Sequence, residues 1–350
     1  MTSLTDWIGR SETVLDTIGP TPVVALTATL DHPATPVTVG TPLPPLWHWL
    51  YFLPMHRQSE IGADGHARRG GFLPPVPLPR RLWAGSQFEF RSPLRVGDRV
   101  ARTSTIMDVT SKSGRSGHLV FVKVKHELRC NDAAETALVE HHDIVYRDAQ
   151  QPGDVAPSPQ PAATDGAWRR ELLPDEVLLF RYSALTFNGH RIHYDRPYAT
   201  GVEGYPGLVV HGPLIATLLL DLLHRQMPEA QLAGFQFKAV RPTYDGRPMQ
   251  VNGQPSADGR SVHLWASDHE GCERQGHDVR SGQENGEVDV DDAGFGQGDG
   301  EEGSDDDRLG QGGTEEDRQR HRSPGRQCQS IRSQRRSGRG PAATAAGPRE

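Results

Sequence analysis

The stretch GLVVHGPLIATLLLDLLHRQ, residues 207–226, decides the fold. His211-Gly212-Pro213 opens a helix, with the proline at a first-turn position where its missing N–H leaves no acceptor unpaired. Leu214, Thr217, Leu218, Asp221 and Leu222 recur at helical spacing, yet Ile215, Leu219, Leu220 and Leu223 are apolar too. A helix apolar almost all round has to be wrapped by other structure. It is also too short and too polar, with a histidine and an aspartate inside the run, to span a bilayer.

The wrapping material follows in FQFKAVRPTYDGRPMQV from Phe235 and GRSVHLWAS from Gly259, and both have echoes earlier in the chain. FEFRSPLRVGDRV from Phe88 shares the aromatic–polar–aromatic–basic opening and the Gly/Asp turn, and GRSGHLVFVKV from Gly114 follows at nearly the same offset. Upstream, LWHWLYFLPMHRQ ending at Gln58 matches LIATLLLDLLHRQ ending at Gln226, which predicts a second helix over 46–58. Three matches in one order indicate a duplicated unit. The strands alternate, with Val120, Val122 and Val124 on one face and Phe121, Lys123 and Lys125 on the other, and KSGRSG makes the hairpin turn. A helix wrapped by an antiparallel sheet, twice over, is an α+β architecture.

Composition divides the chain of 350 residues. The Pro/Ala/Gly-rich stretch 148–167 reads as a linker between 1–147 and 168–275. Segment 276–350 has few large apolar residues and an acidic block followed by an arginine-rich one, so it is expected to be a disordered tail. It lacks lysine and is dominated by Gly, Arg, Asp and Gln, the composition of GC-rich coding sequence read in a shifted frame. Acids outnumber arginines there and the net charge of the chain is −7, so no basic field for nucleic acid is expected. Three cysteines without a CxxC pair, and an N-terminus without an apolar core segment, point to a reducing cytoplasm and no membrane association.

FNGHRIHYD, residues 187–195, precedes the helix and concentrates the chemistry. His190, His193, Asp195 and His211 offer metal ligands, but there is neither a helical His-x-x-x-His nor a cysteine pair, so no metal is expected. An exposed polar loop is the plain alternative, although the flanking segments are apolar. The third reading is acid–base chemistry at a carbonyl compound: a histidine to move a proton, Asn188 to hold a water or substrate oxygen, and the helix start at Gly212 to stabilise an oxyanion. No GxGxxG or GxxxxGK[ST] cradle is present. GADGHARRGG, residues 62–71, is either a flexible lid or a surface loop.

FRYSALTFNGHRIHYDRPYA followed by GLVVHGPLIATLLLDLL resembles the hydratase motif of MaoC-type dehydratases, and more closely the hydroxyacyl-thioester dehydratase type 2 group with its mesaconyl-C4-CoA and itaconyl-CoA hydratases. PLPRRLWAGSQFEFRSPLRVGD and KSGRSGHLVFVKVKHE carry the likeness into the first half, so that it covers about residues 4–270. The resemblance implies a double hotdog fold with one active half, 168–275, and a degenerate one, 1–147. It implies a hydro-lyase that hydrates enoyl thioesters or dehydrates 3-hydroxyacyl thioesters, carried by coenzyme A or an acyl carrier protein, without a further cofactor, as monomer or homodimer. Carried over by position, His193 is the acid or base and Gly212 the carbonyl donor, while Asn188 stands where the family motif has an aspartate and is left to orient the water. His190, Arg191, His211, Tyr205, Arg80 and Arg81 are the expected substrate-binding residues, with the arginines facing phosphate. A hotdog thioesterase and a non-catalytic acyl-thioester binding module are the alternatives.

Overall fold

The computed structural model describes residues 3–114, 117–131, 133–149, 163, 166–268 and 271–281. The chain divides into the units Met1–Gly286 and Glu287–Glu350, and the second lies wholly outside the described residues, as do most of the expected linker and the expected tail beyond Ser281.

The strands are β1 (Ser11–Thr17), β2 (Arg80–Phe90), β3 (Arg99–Gly114), β4 (Gly117–Cys130), β5 (Leu138–Arg147), β6 (Trp168–Leu172), β7 (Leu232–Ala239), β8 (Met249–Pro255), β9 (Ser261–Asp268) and β10 (Gly271–Ser281). They form one ten-stranded sheet in the order β1-β3-β4-β5-β2-β7-β10-β9-β8-β6. Its first five strands run 1-3-4-5-2 and its last five repeat that order as 6-8-9-10-7 read from the other edge, so the duplication written in the sequence is a duplication of topology. The two echoing stretches meet at the seam, where β2 and β7 pair antiparallel with Phe88 opposite Phe235, their rings stacked at 5.9 Å. β10 crosses the expected boundary at 275 and reaches Ser281, paired with β7 on one side and β9 on the other.

The helices are α1 (Pro20–Thr29), α2 (Glu176–Leu185), α3 (Arg196–Gly201) and α4 (Gly212–Gln226). In α4 every residue from Leu214 to Leu223 is buried, and the helix packs on β6, β8 and β9. Each enclosed leucine or isoleucine contributes about 2 kcal/mol from water exclusion, which explains why this helix needs no polar face. Its one charged interior residue, Asp221, is held by Arg170 Nη1 of β6 at 2.5 Å, by Arg225 Nε at 2.8 Å and by His32 of the first half. Arg225 also donates to the Leu30 carbonyl at 2.8 Å, so one buried carboxylate joins the end of α1 to α4 and β6.

The helix expected over 46–58 does not form. That stretch contains the 3₁₀ turn Trp47–Leu50 and ends where another, Gln58–Glu60, begins, and the ten-residue helix of the first half is α1 instead. Pro44 and Pro45 before the stretch and Pro54 within it cannot supply helical hydrogen bonds, and Leu46 (φ +69°) and Phe52 (φ +54°) sit in the left-handed region. The Phe52 N–H is fixed by Asp16 Oδ2 at 2.7 Å. Leu46, Trp47, Leu50, Tyr51 and Phe52 are still buried, so the segment serves as an apolar plug rather than a helix.

Beneath that plug lies a buried polar cluster. Glu140 accepts from His48 Nε2 (3.2 Å), Trp49 Nε1 (3.3 Å) and Ser86 Oγ (3.2 Å). Burial alone would raise its pKa, but the His48 hydrogen bond and the neighbouring His126 outweigh this and bring it to about 2. Burial pushes His126 down to about 3, and His142 shifts the same way. A buried neutral histidine stabilises the fold fully above its ordinary pKa of 6.5 and loses that contribution as pH falls through the shifted value. Glu140 does the same below 4.5. The melting temperature is therefore expected to fall as pH drops from 6.5 to 4.5, and more steeply below that. Calorimetry across this range checks it, and a flat profile down to pH 4.5 would contradict it.

Among the described residues, no helix is long and apolar enough to cross a membrane.

Candidate active site

α2 is capped by Asp175, whose carboxylate accepts from Leu178 N at 2.8 Å, and ends just before the loop 187–195. Phe187 turns the chain with φ +50°. Asn188 Oδ1 then accepts the His190 N–H at 3.0 Å, so the side chain shapes its own loop and leaves its NH₂ group as donor. A 3₁₀ turn, Arg191–His193, follows, and Asp195 caps α3 by accepting from Tyr198 N at 3.1 Å.

The start of α4 is aligned from below. The β7–β8 turn supplies Asp245, buried, which accepts from Leu208 N at 2.8 Å and from Arg196 Nη2 at 2.5 Å. Asp245 N donates to the Leu208 carbonyl and Val210 N to the Thr243 carbonyl, so 208–210 is clamped along the turn and delivers His211-Gly212 to a fixed place. The Gly212 N–H belongs to the first turn of α4, where backbone donors have no intrahelical acceptor and the dipole end is positive.

His193 is buried and its Nδ1 lies 2.6 Å from the Val209 carbonyl. A carbonyl only accepts, so Nδ1 carries the proton and Nε2 is the basic nitrogen. The ring stacks on His211 at 3.7 Å. His211 is fully buried, meets Ser183 Oγ through Nε2 at 2.7 Å, and has no hydrogen-bond partner at Nδ1 among the described residues. Burial, then the neighbouring His193 and His190, hold its pKa well below the ordinary value, so this ring is neutral.

The glycine-rich segment 62–71 is a surface loop, with Ala63 and residues 68–71 exposed, and it docks on 189–191. Arg191 N donates to the Asp64 carbonyl at 2.9 Å and Arg191 Nη1 to the Ala63 carbonyl at 3.0 Å. The approach is backbone to backbone and needs glycine on both sides. A Cβ on Gly65 (φ +89°) would lie 1.8 Å from the Gly189 carbonyl oxygen, and one on Gly189 would lie 2.9 Å from that of Gly65. The docking brings His66 onto His190 at 4.0 Å between ring centroids, and His190 stands 5.5 Å from His193. His66 Nδ1 meets Asp64 Oδ2 at 3.0 Å. Burial, then His66 and His193, push His190 down to about 2. Burial lowers His66 as well, with Asp64 opposing and Arg81 and Arg69 reinforcing the shift.

Of the expected substrate-binding residues, Arg80, Arg81, His190 and Tyr205 line one cleft, together with Asp64 and His66. Arg80 is committed within it: Nε faces Glu203 Oε2 at 3.3 Å and the guanidinium stacks 5.3 Å from the Tyr205 ring. Arg191 is likewise engaged, by Asp195 at 2.7 Å and over the Tyr198 ring at 4.1 Å. His211 lies behind His193, within the buried interior. Asp64, His66 and Ser183 were not among the residues singled out from sequence. The signal that could have found the first two is a glycine between an acid and a histidine, facing the glycine of Asn188-Gly189-His190.

Asp64, His66 and His190 also offer a carboxylate oxygen and two imidazole nitrogens, all within 4.8 Å of one another, which could hold a divalent cation. The nearby guanidinium groups of Arg81 and Arg69 oppose a cation there, since both already repel a proton from His66.

A family profile described as hydroxyacyl-thioester dehydratase type 2 matches residues 46–245. The chain is 48% identical over 260 residues to the mesaconyl-C(4)-CoA hydratase of Chloroflexus aurantiacus, covering 72% of this chain and 89% of that protein. It is 24% identical over 265 residues to the mitochondrial hydroxyacyl-thioester dehydratase type 2 of Schizosaccharomyces pombe, covering 67% of this chain and 87% of the relative. A solved MaoC-like dehydratase superposes with a TM-score of 0.55 at 15% identity over 80% of this chain and all of that one, a likeness of fold.

Proposed function

Because the chain belongs to the hydroxyacyl-thioester dehydratase type 2 family, we propose that it is a hydro-lyase adding water to, or removing it from, an acyl-CoA thioester at the 187–212 site. The named activity of the Chloroflexus relative makes a branched dicarboxylic enoyl group such as mesaconyl the first substrate to try. The observation that carries the reading is the placement of a tautomer-fixed His193 one ring away from the start of α4.

The α-proton of a thioester is weakly acidic, so its removal needs the enolate oxygen to be held as charge develops. The Gly212 N–H at the positive end of α4 is that donor. His193 Nε2 takes the proton from Cα in dehydration and returns one in hydration. The Asn188 amide holds the departing hydroxyl, or the arriving water, through its NH₂ group. Asn188 has no proton-transfer chemistry of its own, which weighs against hydrolysis of the thioester by a carboxylate-activated water.

The test is incubation with crotonyl-CoA and mesaconyl-CoA while following enoyl absorbance and free thiol together. Loss of enoyl absorbance without thiol is expected. Thiol release would make the protein a thioesterase, and no turnover by folded protein would make it a binding module.

A further inference from the structure

His193 moves the proton at Cα, and the proton that the water at Cβ must lose in hydration and regain in dehydration still needs a carrier. Adding water requires one proton to leave the water and one to reach Cα, and Asn188 can carry neither. We propose that His66, oriented by Asp64, is the second proton-transferring residue and acts on the water or hydroxyl at Cβ, while His193 acts at Cα. This rests on the hydro-lyase reading of the site.

Three observations support it. First, Asp64 and His66 form an oriented dyad: Oδ1 accepts the His66 N–H at 3.0 Å and Oδ2 accepts Nδ1–H at 3.0 Å. A carboxylate only accepts, so Nε2 is the basic nitrogen, and it has no hydrogen-bond partner among the described residues. Burial, Arg81 and Arg69 hold the His66 pKa below its ordinary value against the opposing Asp64, so the ring rests neutral and able to take a proton, with the adjacent carboxylate to offset part of the charge that forms. Second, the dyad is fixed in place rather than carried on a free loop. The paired glycines 65 and 189 and the two hydrogen bonds from Arg191 lock it to the segment that carries His190 and His193. Third, His66 and His190 line the cleft that also holds Arg80, Arg81 and Tyr205, and His190 stands 5.5 Å from His193, so the dyad lies where the histidine cluster borders that cleft.

The balance is complete. Hydration starts with His66 neutral and His193 carrying a proton at Nε2 as well as at Nδ1, and a water gives a proton to His66 Nε2 as its oxygen bonds to Cβ. The electron pair of the double bond moves to the thioester oxygen, held at Gly212 N–H. The enolate collapses as Cα takes the proton on His193 Nε2. The proton gained by His66 then returns to His193 across the intervening His190 ring or through solvent, and one water has been added. Dehydration runs the same steps backwards. Asp64 is a positioning residue: it fixes the tautomer of His66 and touches no substrate.

The experiment compares the unmodified protein with His66→Gln, His66→Ala and Asp64→Asn on mesaconyl-CoA and crotonyl-CoA, with circular dichroism and thermal melts confirming the fold. His66→Gln is expected to lower kcat about thirtyfold with KM changed less than about threefold. Added imidazole is expected to restore part of kcat in His66→Ala and nothing in His193→Ala, because only the first leaves its cavity open to the cleft. Asp64→Asn is expected to lower kcat less than His66→Gln, again with little effect on KM. A kcat for His66→Gln within about threefold of the unmodified protein would overturn the assignment, as would a loss confined to KM. Loss of activity on chelation with EDTA, restored by zinc, would make the three residues a metal site and also overturn it. No turnover by the unmodified protein would overturn the hydro-lyase reading and this assignment together, whereas the other outcomes leave that reading standing.

Discussion

Replacing His193 by alanine lowers kcat by about a hundredfold or more on any enoyl thioester the protein hydrates. The expectation follows from three features that coincide at this residue. Its Nδ1–H is spent on the Val209 carbonyl at 2.6 Å, which leaves Nε2 as the basic nitrogen. It stacks on His211, the residue immediately before the start of α4, so the proton-moving atom and the oxyanion donor are held by adjoining groups. Its loop is fastened at both ends, by the Asn188 turn before it and by Arg191–Asp195 around it. Asn188→Ala is expected to cost less, roughly tenfold, because the amide positions an oxygen without transferring a proton. Steady-state kinetics on purified variants decide both, and near-unchanged turnover in His193→Ala would remove it from the chemistry.

Replacing Asp221 by alanine is expected to destabilise the protein by about 3 kcal/mol, seen as a fall in melting temperature of roughly 6–10 °C. Asp221 is 7% exposed on the enclosed face of α4 and collects Arg170, Arg225 and His32. Removing the carboxylate leaves two guanidinium groups close together in a poorly solvated place without their counter-charge. Both arginines retain partial solvent access, which keeps the cost at the low end for a broken buried ion cluster. The cluster also ties the Leu30 carbonyl and His32 of the first half to α4, so the loss falls on the joint between the duplicated units. Turnover by the folded fraction stays near that of the unmodified protein, since no member of the cluster belongs to the 187–212 site. A melting temperature unchanged within about 2 °C would contradict this.

How much of this could be read from sequence depended on whether the signal was local. The strand echoes FEF and FQF and the proline-opened apolar helix are local patterns, and the structure places them as paired strands and an enclosed helix. The 187–195 cluster was visible for the same reason. The helix expected over 46–58 failed because apolar density does not distinguish a helix from a buried plug. Pro44, Pro45 and Pro54 were legible as helix breakers, while the two left-handed residues, Leu46 and Phe52, are a backbone feature that composition does not announce. The end of β10, residues 276–281, fell in what reads as tail because GCERQGHDVRS is poor in apolar residues, and the place of the strand comes from backbone pairing with β7 and β9. The Asp64–His66 dyad was invisible because it meets His190 across more than a hundred residues of chain, through glycine backbones that leave no periodic mark.

The central claim is that this site moves a water molecule across a carbon–carbon double bond and leaves the thioester intact. The most direct measurement is the mass of the product formed from mesaconyl-CoA in water enriched in heavy oxygen. The account predicts a hydroxyacyl-CoA carrying one labelled oxygen in its acyl part, with coenzyme A still attached. A labelled free acid together with free coenzyme A would contradict it.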